Sequence, residues 1–327
     1  MCLMRLLASF LMVLLCAGGL AQTPSTNPPQ KPPATAPSGS TNGSPNTDTQ
    51  DPQGGTFRQI VQEVNLIFAV TDKHGKFIKD LKQNEFKVFD NGKLVDPKGF
   101  EAQTNLPLRV GLLIDASNSI RDRFLFEQQA AIEFLQSVIR PETDKAFVLA
   151  FDEIPELTQD FTSDQDKLTK GIKLIRPGGG TAMWDAVYSA CRDHLMKQTG
   201  TETVRNVIIL VSDGDDNQSR AMRQEAIEMA QRANVIIYTI STNLSNIQDT
   251  GDKNLKMLAE ATGGQAFFPF KLQDLADNFY SIQGELRSQY SLHYKPEGIV
   301  AGQFRAVLVK PDDTKLRVRV KKGYYAR

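Results

Sequence analysis

Two uninterrupted apolar runs limit what this chain can fold into. Val110-Gly111-Leu112-Leu113-Ile114 and Val207-Ile208-Ile209-Leu210-Val211 contain no polar side chain. A strand with one wet face alternates apolar and polar residues, so these runs belong to strands buried on both faces. Around them the spacing turns helical. Helices are expected over 121–139, 164–175, 182–197, 220–232, 253–262 and 271–286. Further strands are expected over 146–151, 235–240 and 265–268. This alternation predicts an α/β fold: a doubly wound, mostly parallel sheet covered by helices on both faces.

The flanks have a different texture. In 57–106, Val64, Leu66, Phe68 and Val70 recur with a period of two. Phe86 and Val88 follow, closed by Asp90-Asn91-Gly92, a strong hairpin signal. In 287–327, Tyr290, Leu292 and Tyr294 alternate, Phe304 to Val309 is mostly apolar, and Leu316, Val318 and Val320 alternate again after a turn at Pro311-Asp312-Asp313. Three strands alone make a thin core. The two segments are therefore expected to fold together into one small β-sandwich, with the α/β domain of 107–286 inserted between its halves.

Upstream of the folded part, Leu6 to Leu15 is an apolar stretch after a single basic residue, and Gly19-Leu20-Ala21 offers a small-x-small cleavage site. Residues 1–21 thus read as a secretory signal, too short for a comfortable span. No stable membrane span is expected after cleavage. Cys16 invites lipidation, but Leu15 is not the small residue that usually precedes a lipidated cysteine. Residues 22–56, rich in Pro, Ser, Thr, Gly, Asn and Gln, bury too little to offset ordering and are expected to be a disordered linker. The protein is expected to be exported: periplasmic, outer-surface or secreted. Of three cysteines only Cys191 lies beyond the signal, so no internal disulfide is expected. Lys plus Arg equal Asp plus Glu at 38 each, which gives no drive toward nucleic acid.

The chemistry concentrates where apolar runs end. Asp115-Ala116-Ser117-Asn118-Ser119 follows the first run, and Ser212-Asp213-Gly214-Asp215-Asp216 follows the second. In open α/β sheets ligands bind beyond the carboxyl ends of the strands. Carboxylate and hydroxyl oxygens suit a hard cation such as Mg²⁺, which keeps several waters. Gly178-Gly179-Gly180-Thr181 precedes an expected helix start, where Thr181 taken alone reads as an ordinary N-cap that needs no metal.

In this order the three pieces resemble the von Willebrand factor type A domain, with its metal-ion-dependent adhesion site, over roughly 107–286. The resemblance implies a Rossmann-like sheet with Asp115, Ser117, Ser119, Thr181 and Asp213 around the metal and Asp216 in a supporting or turn-capping role. It implies Mg²⁺, with Mn²⁺ or Ca²⁺ as alternatives, and one coordination position open to the Asp or Glu carboxylate of a protein partner. The flanks are similar to a secreted bacterial group, the acidobacterial-type VWFA-related family. That likeness rests on Val70-Thr71-Asp72 with Gly75, and on Phe86-Lys87-Val88-Phe89-Asp90-Asn91-Gly92.

A binding role is expected rather than an enzyme. His74, His194 and His293 are scattered, and there is no Gly-x-Ser-x-Gly, His-Glu-x-x-His or Cys-x-x-Cys pattern. A metal-dependent hydrolase is the weaker reading. The alternative to partner binding is a structural envelope component whose metal only staples loops. On the last strand Lys315, Arg317, Arg319 and Lys321 are expected to form a solvated face.

Overall fold

The computed structural model describes residues 63–102, 106–118, 121, 124–197, 204–243, 247–269, 271 and 274–326. The expected signal segment and linker lie outside these residues, as does Ser119. Four strands come first: β1 (Val64–Thr71), β2 (Phe86–Asp90), β3 (Lys93–Val95) and β4 (Gly99–Glu101). The α/β part follows with β5 (Leu108–Asp115), α1 (Phe124–Val138), β6 (Lys145–Phe151), β7 (Pro155–Thr162), α2 (Gln165–Leu174) and α3 (Met183–Ser189). It continues with β8 (Arg205–Ser212), α4 (Arg223–Arg232), β9 (Val235–Ser241), α5 (Thr250–Thr262), β10 (Ala266–Phe267) and α6 (Asp274–Leu286). Four strands close the fold: β11 (Tyr290–Tyr294), β12 (Phe304–Pro311), β13 (Arg317–Val320) and β14 (Gly323–Tyr325).

The central sheet runs β10-β9-β8-β5-β6-β7. All its pairings are parallel except the β6–β7 edge. Alternation along β5 sends Leu112 and Ile114 toward Phe134, Leu135 and Ile282 of α1 and α6. It sends Leu113 to the opposite face, against Trp184, Val187 and Leu258 of α3 and α5. Both faces are dry, which is why the run lacks polar residues. Val110 to Ile114 pair level with Val207 to Val211. Asp115 and Ser212 therefore leave the sheet side by side.

The end segments interleave. One sheet runs β13-β1-β11-β4 and the other β14-β12-β2-β3, so each contains strands from both ends of the chain. They share one core in which Phe68, Phe86, Tyr290, Val309 and Tyr324 meet. Asn91 and Gly92 both take positive φ (50° and 83°), as a two-residue hairpin of primed type requires. Asp90 at its start is fully buried. It accepts hydrogen bonds from the Arg305 guanidinium (2.8 Å) and from the Tyr294 and Tyr324 hydroxyls (3.1 and 2.9 Å).

Four features depart from the sequence expectations. Strand β7 was not expected: its mixed, half-exposed pattern shows no clean period of two, because it is an antiparallel edge strand with bulged register. The helix expected over 182–197 is α only to Ser189 and then widens into a π-helix over Ala190–Leu195, with Met196 N–H donating to the Cys191 carbonyl. Strand β14 was also not expected. Finally, the basic face of the last strands is not simply solvated. Arg319 pairs with the buried Glu285 and with Gln265, and Lys321 donates to the Asn65 carbonyl and to Asn234. That face docks the sandwich on the α/β domain.

The two parts join at the amino-terminal edge of the central sheet. Asp144, whose side chain is fully buried, accepts from the Leu108 amide at the start of β5 (2.9 Å). It also accepts from Arg140 Nε (3.1 Å) and from Arg287 (3.0 Å), the residue just beyond α6. Arg205, equally buried, donates to the Leu286 carbonyl (2.6 Å). Among the described residues no helix is long and apolar enough to cross a membrane.

Burial alone would raise the Asp144 carboxyl, but hydrogen bonds from Arg140, Leu108 and Arg287 outweigh it and hold the pKa at about 2. The folded value lies below the ordinary 3.8, so the native state binds fewer protons than the unfolded chain. The resulting stabilisation of about 2 kcal/mol is complete above pH ~4 and is lost as pH falls toward ~2. Urea unfolding of Asp144→Asn should show lower stability at neutral pH and a flatter acid limb than the parent. An unchanged acid limb would show that Asp144 is not the group responsible.

Candidate metal centre

Asp115 is the last residue of β5 and is fully buried. Its Oδ1 accepts the Ser117 amide at 2.8 Å and its Oδ2 accepts the Ser212 hydroxyl at 2.7 Å. The Ser212 hydroxyl in turn accepts the Gly214 amide at 3.0 Å, which ties the turn after β8 to the end of β5. Burial lifts the Asp115 carboxyl to about 6, against the Ser212 and Ser117 hydrogen bonds, and the charge of Asp213 adds to the rise. Its recorded partners are neutral hydroxyl and amide groups, and a second carboxylate lies near. Such a group gains most from a cation.

The glycine loop is fastened to both neighbouring turns. Gly178 N–H donates to the Ala116 carbonyl (2.7 Å), and the Asn118 amide side chain donates to the Gly179 carbonyl (3.1 Å). On the other side Thr181 N–H donates to Asn217 Oδ1 (3.0 Å), while the Thr181 carbonyl accepts from Asn217 N–H (3.0 Å) and Gln218 N–H (3.1 Å). Thr181 is buried. It is not the N-cap of the following helix, because that position falls to Ala182. The capping role is taken from outside: Asp216 Oδ2 accepts from Trp184 N–H (3.0 Å) and from the Ser219 hydroxyl (2.6 Å). Asp185 similarly accepts the Arg220 and Ala221 amides (3.1 and 2.7 Å).

The described loops thus bring Asp115, Ser117, Thr181 and Asp213 to one sheet edge, at the point where neighbouring connections leave for opposite faces. The fifth expected ligand, Ser119, lies outside the described residues. Among the described residues no group of three or more His, Cys, Asp or Glu side chains is arranged to hold a metal. The candidate set instead combines two carboxylates with hydroxyls, a hard-oxygen set that fits Mg²⁺, Mn²⁺ or Ca²⁺. The edge is acidic beyond these groups. Burial raises the Asp215 carboxyl, and Asp213, Asp249 and Asp252 raise it further. Ser212, Asn118, Asn217 and Asp185 were not singled out from the sequence. For Ser212 the signal was present, since level pairing of the two apolar runs sets it beside Asp115.

The histidines lie on other elements. His74 is in the turn after β1, His194 lies on the π-helix and stacks on Phe147 (5.0 Å between centroids), and His293 is on β11 in the sandwich.

A doubly wound α/β domain with an oxygen-rich switch point is the class that fold and site define. The chain belongs to the von Willebrand factor type A domain family, whose profile matches residues 110–285, more than half of the protein. No curated protein matches it by sequence. Among solved structures it is similar to a von Willebrand factor type A protein from Catenulispora acidiphila, at 14% identity and TM-score 0.49, covering 83% of this chain and 74% of that one. It is similar to the vWF domain of the type V pili tip protein Mfa5 from Porphyromonas gingivalis, at 17% identity and TM-score 0.45, covering 55% and 95%. It is also similar to proximal thread matrix protein 1 from the mussel byssus, in a form with a zinc-occupied MIDAS motif, at 17% identity and TM-score 0.48. That match covers 58% of this chain and spans about half, 48%, of the mussel protein.

The turn after β8 is sterically closed. Gly214 has φ +81°, and a Cβ there would stand 2.2 Å from the Gly251 carbonyl oxygen at the start of α5. Gly214→Ala should therefore lower unfolding free energy by about 2 kcal/mol or more, from left-handed strain plus displacement of the α5 backbone. Denaturant titration checks this. Parent-like stability would mean that the turn and α5 are not in contact.

Proposed function

We propose that this protein is an exported binding protein whose type A domain holds a divalent cation, Mg²⁺ in the first instance. Asp115, Ser117, Ser119, Thr181 and Asp213 hold the ion, and Asp216 braces the glycine loop through α3. The bound ion supplies an electrophilic position that takes an Asp or Glu carboxylate from a protein partner. This chain's residues fix the ion: Asp115 supplies buried negative charge, Ser212 and Ser117 orient its two oxygens, and Asn217 fixes the Thr181 backbone. Hydroxyl ligands are neutral, so the cation keeps enough positive charge to attract a carboxylate.

The observation that carries this reading is Asp115: a fully buried carboxylate held by hydroxyl and amide donors, with Asp213 adding like charge. Binding is preferred to hydrolysis because the three histidines sit on elements away from this edge. The 1–21 segment supports export, and the flanking pattern supports a likeness to the acidobacterial-type VWFA-related group.

Calorimetric titration of the purified chain with Mg²⁺ should show one site per molecule. At a hundredfold excess over Kd the ion should stabilise the fold by about 2.7 kcal/mol. Asp115→Asn and Thr181→Ala should each weaken the binding at least tenfold while the protein stays folded. Equal heats and equal melting temperatures in Mg²⁺ and in chelator would overturn the reading.

A further inference from the structure

The loop from β11 to β12 sets three consecutive apolar residues, Ile299, Val300 and Ala301, in solvent. Val300 is 60% exposed. The loop is nevertheless held in one shape. Gly298 and Gly302, on either side, both take left-handed φ (61° and 79°). The Gly298 carbonyl accepts from the Arg305 guanidinium (3.2 Å), Gln303 N–H donates to the Val300 carbonyl (3.1 Å), and Gly302 N–H donates to the Ala326 carbonyl (2.8 Å). Exposed apolar runs of this length work against solubility and are kept where they serve a function.

The apolar surface continues onto the outer face of the adjoining sheet. Phe304 and Tyr325 pair across β12 and β14, with ring centroids 5.2 Å apart. Leu308, Phe89 and Leu94 form a level row across β12, β2 and β3. Leu94, Ile299, Val300, Phe304 and Leu308 are five of the thirteen large apolar side chains exposed among the described residues, so they form a patch and not ordinary scatter. The next row on this face is Lys310 with Lys87, and Lys310 Nζ lies over the Phe89 ring (5.4 Å).

Consecutive residues of a loop point in different directions. A shaped protein socket would have to surround the loop, whereas the fluid apolar layer of a bilayer encloses it without one. Tyr325 offers an amphipathic ring suited to the headgroup level, and lysines end the apolar band as they do at membrane interfaces. The described chain also begins at this end of the sandwich. Val64 pairs level with Tyr294, the last residue of β11, and Glu63 lines one hollow together with Tyr325. The segment read as an export signal lies upstream of that point. We propose that this loop and the apolar face beside it dock on a lipid bilayer, with Ile299 and Val300 entering the acyl boundary. This is seating at the interface, not a span, and it uses none of the metal loops. Exposed Lys295 and Glu297 flank the loop with opposite charges, so burial of apolar surface drives the docking.

The test is flotation of the full chain with phosphatidylcholine vesicles, with and without phosphatidylglycerol, in Mg²⁺ and in EDTA. Half of the protein should associate at on the order of 1 mM lipid, more weakly than a single acyl chain would bind. Association with phosphatidylcholine alone should be equal in EDTA and should persist in high salt. Ile299→Asn with Val300→Asp should weaken it at least tenfold and leave the melting temperature unchanged, since both side chains are in solvent. In a second measurement, brominated phosphatidylcholine should quench the added emission of Val300→Trp. The parent, whose single tryptophan is the buried Trp184, should not be quenched.

No association at tenfold more lipid, or parent-like association of the double variant, overturns the proposal. Association confined to phosphatidylglycerol vesicles and lost in high salt would be adsorption through the lysines and overturns it too. Self-association of the parent without lipid, abolished by the same double variant, would assign the patch to a second copy of the chain and equally overturn it.

Discussion

The side-by-side exit of β5 and β8 from the sheet sets the geometry of everything at the carboxyl edge. Level parallel pairing puts Asp115 next to Ser212, and the 2.7 Å bond between them holds a buried carboxylate at the strand end. Burying that charge is unfavourable, as its raised pKa shows. The surrounding loops are organised around it. Ser117 N–H takes one oxygen, Ser212 the other, and the glycine loop is bonded to the turns on both sides.

The opposite edge of the same strands carries the other constraint. The chain enters the α/β domain at Leu108 and leaves it at Arg287, and both bond to Asp144. Because each sheet of the sandwich contains strands from both ends of the chain, neither end can complete a core alone. The sandwich is thus a clasp on the domain's termini, and Arg319 with Glu285 extends the seam. Strand β5 rises about 23 Å from one edge to the other. The clasp therefore sits at the far edge of the sheet from the Asp115 and Asp213 loops.

Legibility followed burial. Strands β5 and β8 announced themselves because both faces are dry, and the sandwich strands β1 and β11 because one face is. Strand β7 did not, since an edge strand with bulged register and mixed exposure has no strict period. The switch from α to π winding at Ala190 left no trace in residue type. The basic strand looked solvated because alternation separates two faces without saying what covers the polar one. In Arg319 the cover is a buried Glu285 brought from α6. At the site, residue types and spacing marked Asp115, Thr181 and Asp213. The bracing by Asn217, Asp185 and Ser219 depends on loops meeting in space, which spacing along the chain does not reveal.

The central claim is that the edge between β5, β8 and the glycine loop binds a divalent cation. Diffraction from crystals of the protein grown with Mn²⁺, recorded at the manganese absorption edge, tests it most directly. One strong anomalous peak is expected among Ser117, Ser119, Thr181 and the carboxylates of Asp115 and Asp213, lost in Asp115→Asn crystals. Crystals with no peak at that edge, or with manganese bound only elsewhere on the molecule, would contradict it.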